Sequence, residues 1–214
     1  MELREGTLAA AKHQAIMEAA TTLFLDNGYE RTSIDQVAAL AAVGKQTVYK
    51  HFTDKKSLFT EIVLATTDDV EGMVRLVAEV MASSADIEDG LTTLAQQFLT
   101  TLMTPRLIRL RRLIIASAGQ FPELGRAWYE RGFERVLATL AQQFAELSSR
   151  GVLRVAEPAR AAEHFTGMLL WIPLNRAMFT GDETPFTQSE LHHLTTAAVQ
   201  TFLAAHRPQA TTAA

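Results

Sequence analysis

The chain has 214 residues, 48% of them hydrophobic and 21% charged, enough apolar material for one large domain or a small domain continuous with a larger one. It contains no cysteine, which excludes disulfide frameworks, thiolate metal sites and cysteine nucleophiles. The formal net charge of -4 conceals a local excess: Arg31, Lys45, Lys50, Lys55, Lys56 and His51 face only Asp35 and Asp54 in residues 31–56, whereas residues 57–214 carry 13 basic against 17 acidic side chains.

Apolar residues recur at helical spacing nearly throughout, without strand-like alternation, so the expected fold is all-α with about nine helices. Ile16, Ala20, Leu23 and Phe24 form a stripe on a first helix over about residues 8–26, ended by Asn27-Gly28. A short helix opens at Thr32-Ser33, where Ser33 and Gln36 have capping-box spacing, and runs to about Leu40. Ala41 to Gly44 interrupts it before a second short helix from Lys45 to Phe52. Thr53-Asp54 can cap a fourth helix reaching about Met81. Five more are expected near 87–103, 105–118, 122–149, 158–179 and 188–206, the fourth of these carrying Pro173 inside it.

Residues 33–52 therefore have the layout of a helix-turn-helix, a short helix, a tight turn and a second helix able to lie in the major groove. Lys45, Gln46 and Thr47 place hydrogen-bond donors at the start of that second helix, followed by Tyr49, Lys50 and His51. Val48 and Phe52, four apart, are expected to face inward and hold it down.

With Ile16, Ala19-Ala20, Phe24, Gly28-Tyr29, Thr32-Ser33-Ile34, Val37-Ala38, Val43, Lys45, Thr47, Tyr49, Phe52, Lys55 and Leu58, residues 12–60 resemble the N-terminal signature of the TetR/AcrR regulators. Arg109 to Ile115 and Phe121-Pro122-Glu123-Leu124 with Trp128-Tyr129 are similar to the regulatory domain of AefR-like members. The resemblance implies a helix-turn-helix DNA-binding domain over 1–56 and a ligand-binding and dimerisation domain over 57–206, and the polar composition of 207–214 reads as a disordered tail. The resemblance also implies phosphate contacts from Thr47, Tyr49, His51 and Lys55, base contacts from Lys45, Gln46 and Lys50, and a DNA-facing position for Thr32 and Ser33. Three positions depart from the pattern. Ala42 stands where the family has glycine in the turn, a penalty of roughly 1 kcal/mol or more if the site needs positive φ. Gly44 stands where it has a serine cap. Gln46 replaces a frequent glycine and is able to bond adenine.

In the second domain Arg109, Trp128, Phe133, Met168, Trp171 and Asn175 are candidates to line a cavity for a small-molecule effector, against the plainer reading of core packing. Phe165, Leu169 and Ile172, with Leu191, Leu194, Ala198 and Phe202, give apolar stripes for a homodimer interface across a two-fold axis. No nucleophile elbow, paired-histidine zinc motif or phosphate-binding loop is present, so neither catalysis nor a metal or cofactor is expected. Met1 to Gly6 carries Glu2 and Glu5 rather than a basic leader, and no apolar run approaches the ~20 residues that cross a bilayer, so the expected setting is cytoplasmic, without membrane. The expected partner is double-stranded operator DNA. The alternative is a helical protein-interaction module without DNA binding.

Overall fold

The computed structural model describes residues 2–68, 70–83, 86–182, 184 and 186–208, and all regular structure among them is helical. The helices are α1 (Glu2–Arg31), α2 (Ile34–Leu40), α3 (Lys45–His51), α4 (Lys55–Asp68), α5 (Val70–Ser83), α6 (Ile87–Leu102), α7 (Pro105–Ser117) and α8 (Pro122–Trp128). A π-helical turn, Tyr129–Glu134, leads into α9 (Arg135–Ser149), followed by α10 (Pro158–Thr180) and α11 (Gln188–His206). The stretch 122–149 is divided into α8 and α9 around the π-turn, and the stretch near 54–81 is described on either side of residue 69, as α4 and α5. Of the expected tail, residues 209–214 lie outside the described residues.

The described residues form two compact units, one within Met1–Asp68 and Arg109–Trp128, the other within Asp69–Ile108 and Tyr129–Ala214. The first unit thus extends beyond residues 1–56, and the reason is packing remote in sequence. Phe121 meets the Tyr29 ring edge-on at 4.7 Å, and Phe24, Tyr29 and Phe59 lie within 5.0–5.7 Å of one another. Ile16, Ala20, Val37, Val48, Leu58 and Ile62 are buried in the same unit. In the second unit, Phe144, Phe165 and Phe202, from α9, α10 and α11, form a fully buried triangle with centroids 5.0–6.0 Å apart.

Local signals set the helix ends. Gly28, at φ 79° and ψ 168°, breaks the helical backbone of α1 three residues before its end. The Ser33–Gln36 capping box forms in full, with Gln36 N–H donating to Ser33 Oγ at 3.2 Å and Ser33 N–H to Gln36 Oε1 at 2.8 Å. Helix α2 ends in a Schellman cap: Val43 N–H donates to Ala38 O at 3.0 Å and Ala42 N–H to Ala39 O at 3.2 Å. Helix α9 ends the same way, Val152 N–H to Leu147 O and Gly151 N–H to Ser148 O, with Gly151 at φ 71°. At α2 the left-handed position is held by Ala42, at φ 53°.

The Ala42 methyl group is strained there. Ala42→Gly is expected to stabilise the protein by about 1 kcal/mol in urea unfolding, the relief of strain exceeding the added freedom of the unfolded chain. An unchanged or lower midpoint would show that the turn accommodates alanine without strain.

Candidate nucleic-acid interface

Helix α3 presents two kinds of face. Val48 and Phe52 are buried and anchor it, and Thr47 and His51 are half-buried on its flanks. Lys45, Gln46, Tyr49 and Lys50 are exposed and adjacent on the helix, so the structure brings together four of the residues expected to meet DNA. Gly44 starts the helix in extended backbone without a side-chain cap. The His51 ring lies 5.6 Å from His13 of α1, and the Nε2 of His13 in turn pairs with Glu61 at 2.8 Å.

The basic cluster is more committed than its sequence suggests. Lys45 pairs with Asp35 of α2 at 2.8 and 3.1 Å to its two oxygens, and this hydrogen-bonded carboxylate raises the pKa of the ammonium above the usual lysine value. Lys56 pairs with Glu123 of α8 at 2.9 Å, which holds that carboxyl below its ordinary pKa. Arg31 Nε donates to Asn27 O. Among the described residues, Lys50 is the lysine of this cluster with neither an ion pair nor a side-chain hydrogen bond, since Lys55 is held by backbone carbonyls.

Two of the expected DNA contacts serve the protein instead. Lys55 donates to the carbonyls of Tyr29, Glu30 and Thr32 at 3.0, 3.4 and 3.1 Å and sits 4.2 Å from the centroid of the Tyr29 ring. Its three ammonium hydrogens are thereby taken, which leaves none for a phosphate. Thr32 is 2% exposed and its hydroxyl bonds the Leu23 and Gly28 carbonyls, so its side chain does not reach the surface. Ser33 is exposed, with its hydroxyl in the capping box.

Of the six candidate effector residues, two lie in the first unit and four in the second. Arg109 pairs with Asp26 at 3.1 Å and Trp128 stacks on Arg111 at 4.8 Å, both within the first unit. In the second, Phe133 contacts the Tyr129 ring, Met168 packs half-buried on the core, Trp171 is 69% exposed, and the Asn175 amide is bound to Trp171 O. Of the dimer candidates, Phe165, Leu169, Leu191, Ala198 and Phe202 lie in the core of their own unit, which leaves them little or no surface for a second copy. Leu194 is half-buried against that core, whereas Ile172 is exposed, as are Trp171 and Phe179 on the same helix. Helical periodicity identified apolar positions on α10 but not which of them the chain itself covers.

The family model described as bacterial regulatory proteins, tetR family, matches residues 16–62, and that described as AefR-like transcriptional repressor, C-terminal domain, matches residues 89–208. The chain belongs to the TetR family of transcriptional regulators. This TetR-family protein is 45% identical to a TetR-family transcriptional regulator from Mesorhizobium loti, over 94% of this chain and 98% of that one, with a TM-score of 0.86. The flavonoid-responsive regulator FrrA is 29% identical over 93% of this chain and 98% of its own, with a TM-score of 0.68. The HTH-type transcriptional regulator YhgD of Bacillus subtilis is 49% identical over 51 residues, 24% of this chain and 27% of that protein. The chain spans 27–42% of the length of the first curated relatives it matches. The family is one of DNA-binding regulators, not enzymes.

Lys55→Met keeps the aliphatic stem and removes the hydrogen bonds to the end of α1. It is expected to destabilise the protein by about 2 kcal/mol in urea unfolding, the scale of buried carbonyls losing a charged donor. Wild-type stability in this variant would refute the clasp.

Proposed function

We propose that this TetR-family protein is a ligand-responsive repressor that binds palindromic operator DNA as a homodimer and leaves it when a small molecule binds. The observation that carries the reading is the exposed ridge of Lys45, Gln46, Tyr49 and Lys50 on a short helix pinned from behind by Val48 and Phe52. Gln46 and Lys50 suit base edges, the glutamine amide matching adenine and the lysine guanine, while Thr47, Tyr49 and His51 suit phosphates. Residues 1–56 carry the DNA contacts, and residues 57–206 carry effector binding and dimerisation.

One helix-turn-helix reads few base pairs, and a dimer that sets two recognition helices ~34 Å apart reads successive major grooves. Trp171, Ile172 and Phe179, exposed on α10, support that helix as the surface met by a second copy. FrrA is by name flavonoid-responsive, which supports a small organic effector here. The effector acts only if it prefers the conformer whose recognition helices are wrongly spaced. No helix among the described residues is long and apolar enough to cross a membrane, and the reading puts the protein in the cytoplasm with its DNA.

The test is fluorescence anisotropy with the upstream intergenic DNA and a random duplex of equal length at two salt concentrations. Tight, salt-sensitive, sequence-selective binding is expected. Lys50→Ala should lower the slope of log K against log salt by about 0.9 if it touches a phosphate, and otherwise reduce selectivity, as Gln46→Ala should at one operator position. A folded dimer that binds no duplex at low salt would overturn the reading in favour of a protein-interaction module.

A further inference from the structure

Helix α7 carries a cation that the DNA-binding machinery does not use. Arg111 is largely buried, and its Nε is sealed from solvent without a hydrogen-bond partner. Its guanidinium lies 4.8 Å from the centroid of the Trp128 ring on α8, and no carboxylate pairs with it among the described residues. Burial, with no compensating charge, lowers its pKa to about 10. Its neighbour Arg109 differs in having Asp26 at 3.1 Å.

A buried guanidinium without a counter-charge is strongly unfavourable, and one aromatic face compensates only in part. We propose that Arg111 binds the carboxylate of a small organic anion, with Trp128 beside it. The two terminal nitrogens of Arg111, which are not sealed as Nε is, form the planar fork that takes both oxygens of a carboxylate end-on. An inorganic anion would bring a tightly held hydration shell into this setting, whereas a carboxylate on an apolar or aromatic body desolvates more readily and adds contact. Ile114, one turn further along α7, is buried and extends the apolar surroundings. The inference rests on the regulator reading and gives its effector a chemical class.

The probes are benzoate and octanoate at millimolar concentration, with benzamide and octanamide as neutral counterparts. The carboxylates are expected to raise the melting temperature of the full-length protein by about 3 °C at tenfold saturation, and the amides to leave it unchanged. Arg111→Met should lose the shift while melting no lower than wild type without ligand. Should that variant fail to fold, Arg111→Lys, which keeps the charge but not the fork, is expected to bind more weakly by calorimetry. Melting temperatures unmoved by both carboxylates, a shift that persists in Arg111→Met, or undiminished affinity in Arg111→Lys would overturn the proposal. Operator anisotropy separates the two readings: carboxylate binding that depends on Arg111 but leaves the operator bound upholds the anion site and overturns its role in release.

Discussion

The DNA-reading end of this molecule depends on how the end of α1 is closed. Gly28 interrupts the helical backbone and Lys55 places one ammonium among the carbonyls of Tyr29, Glu30 and Thr32. These groups belong to the last turn of one helix and the entry to the next, which would otherwise carry unsatisfied acceptors in a half-buried corner. Because Lys55 is the first residue of α4, the same contact fixes α1, the approach to α2 and the start of α4 against each other. The buried anchors Val48 and Phe52 then give α3 its orientation within that frame.

Charge around the ridge is balanced rather than simply accumulated. Asp35 holds Lys45, Glu123 holds Lys56, and carbonyls hold Lys55, so a positive segment becomes a surface with few uncommitted cations. Exposed pairs of this kind contribute little to stability and exchange readily with solvent or a phosphate. They fix where side chains rest, and they limit indiscriminate attraction to any polyanion.

Local chemistry was legible in the sequence and remote chemistry was not. The Ser33–Gln36 box, the turn after α2, the inward Val48 and Phe52 and the limits of α2, α3, α6, α7, α10 and α11 follow from spacing within a few residues and are present, whereas α1 runs from Glu2 to Arg31 rather than over 8–26. The partners of Lys55, Lys56 and Arg109 lie 23 to 83 residues away, and no periodicity reports them. The stripes on α10 and α11 illustrate a second limit. An apolar position signals that it will be covered, but Phe165 and Phe202 are covered by their own chain whereas Ile172 remains in solvent. Arg111 is one of several arginines on α7, and what separates it from them, the Trp128 ring beside it and a pKa lowered by burial, is not written in the sequence.

Ala42 gives the molecule an uneven distribution of local stability. Among the described residues it is the non-glycine position with positive φ, and it joins the helix that supports the reading face to the helix that forms it. A strain of about 1 kcal/mol confined to that junction multiplies the population of locally opened molecules roughly fivefold while leaving distant segments unaffected. The recognition helix is thereby joined to α2 through a turn that opens more readily than its glycine counterpart at the end of α9. The segment that must adjust to a DNA surface is thus kept softer than the scaffold that carries it.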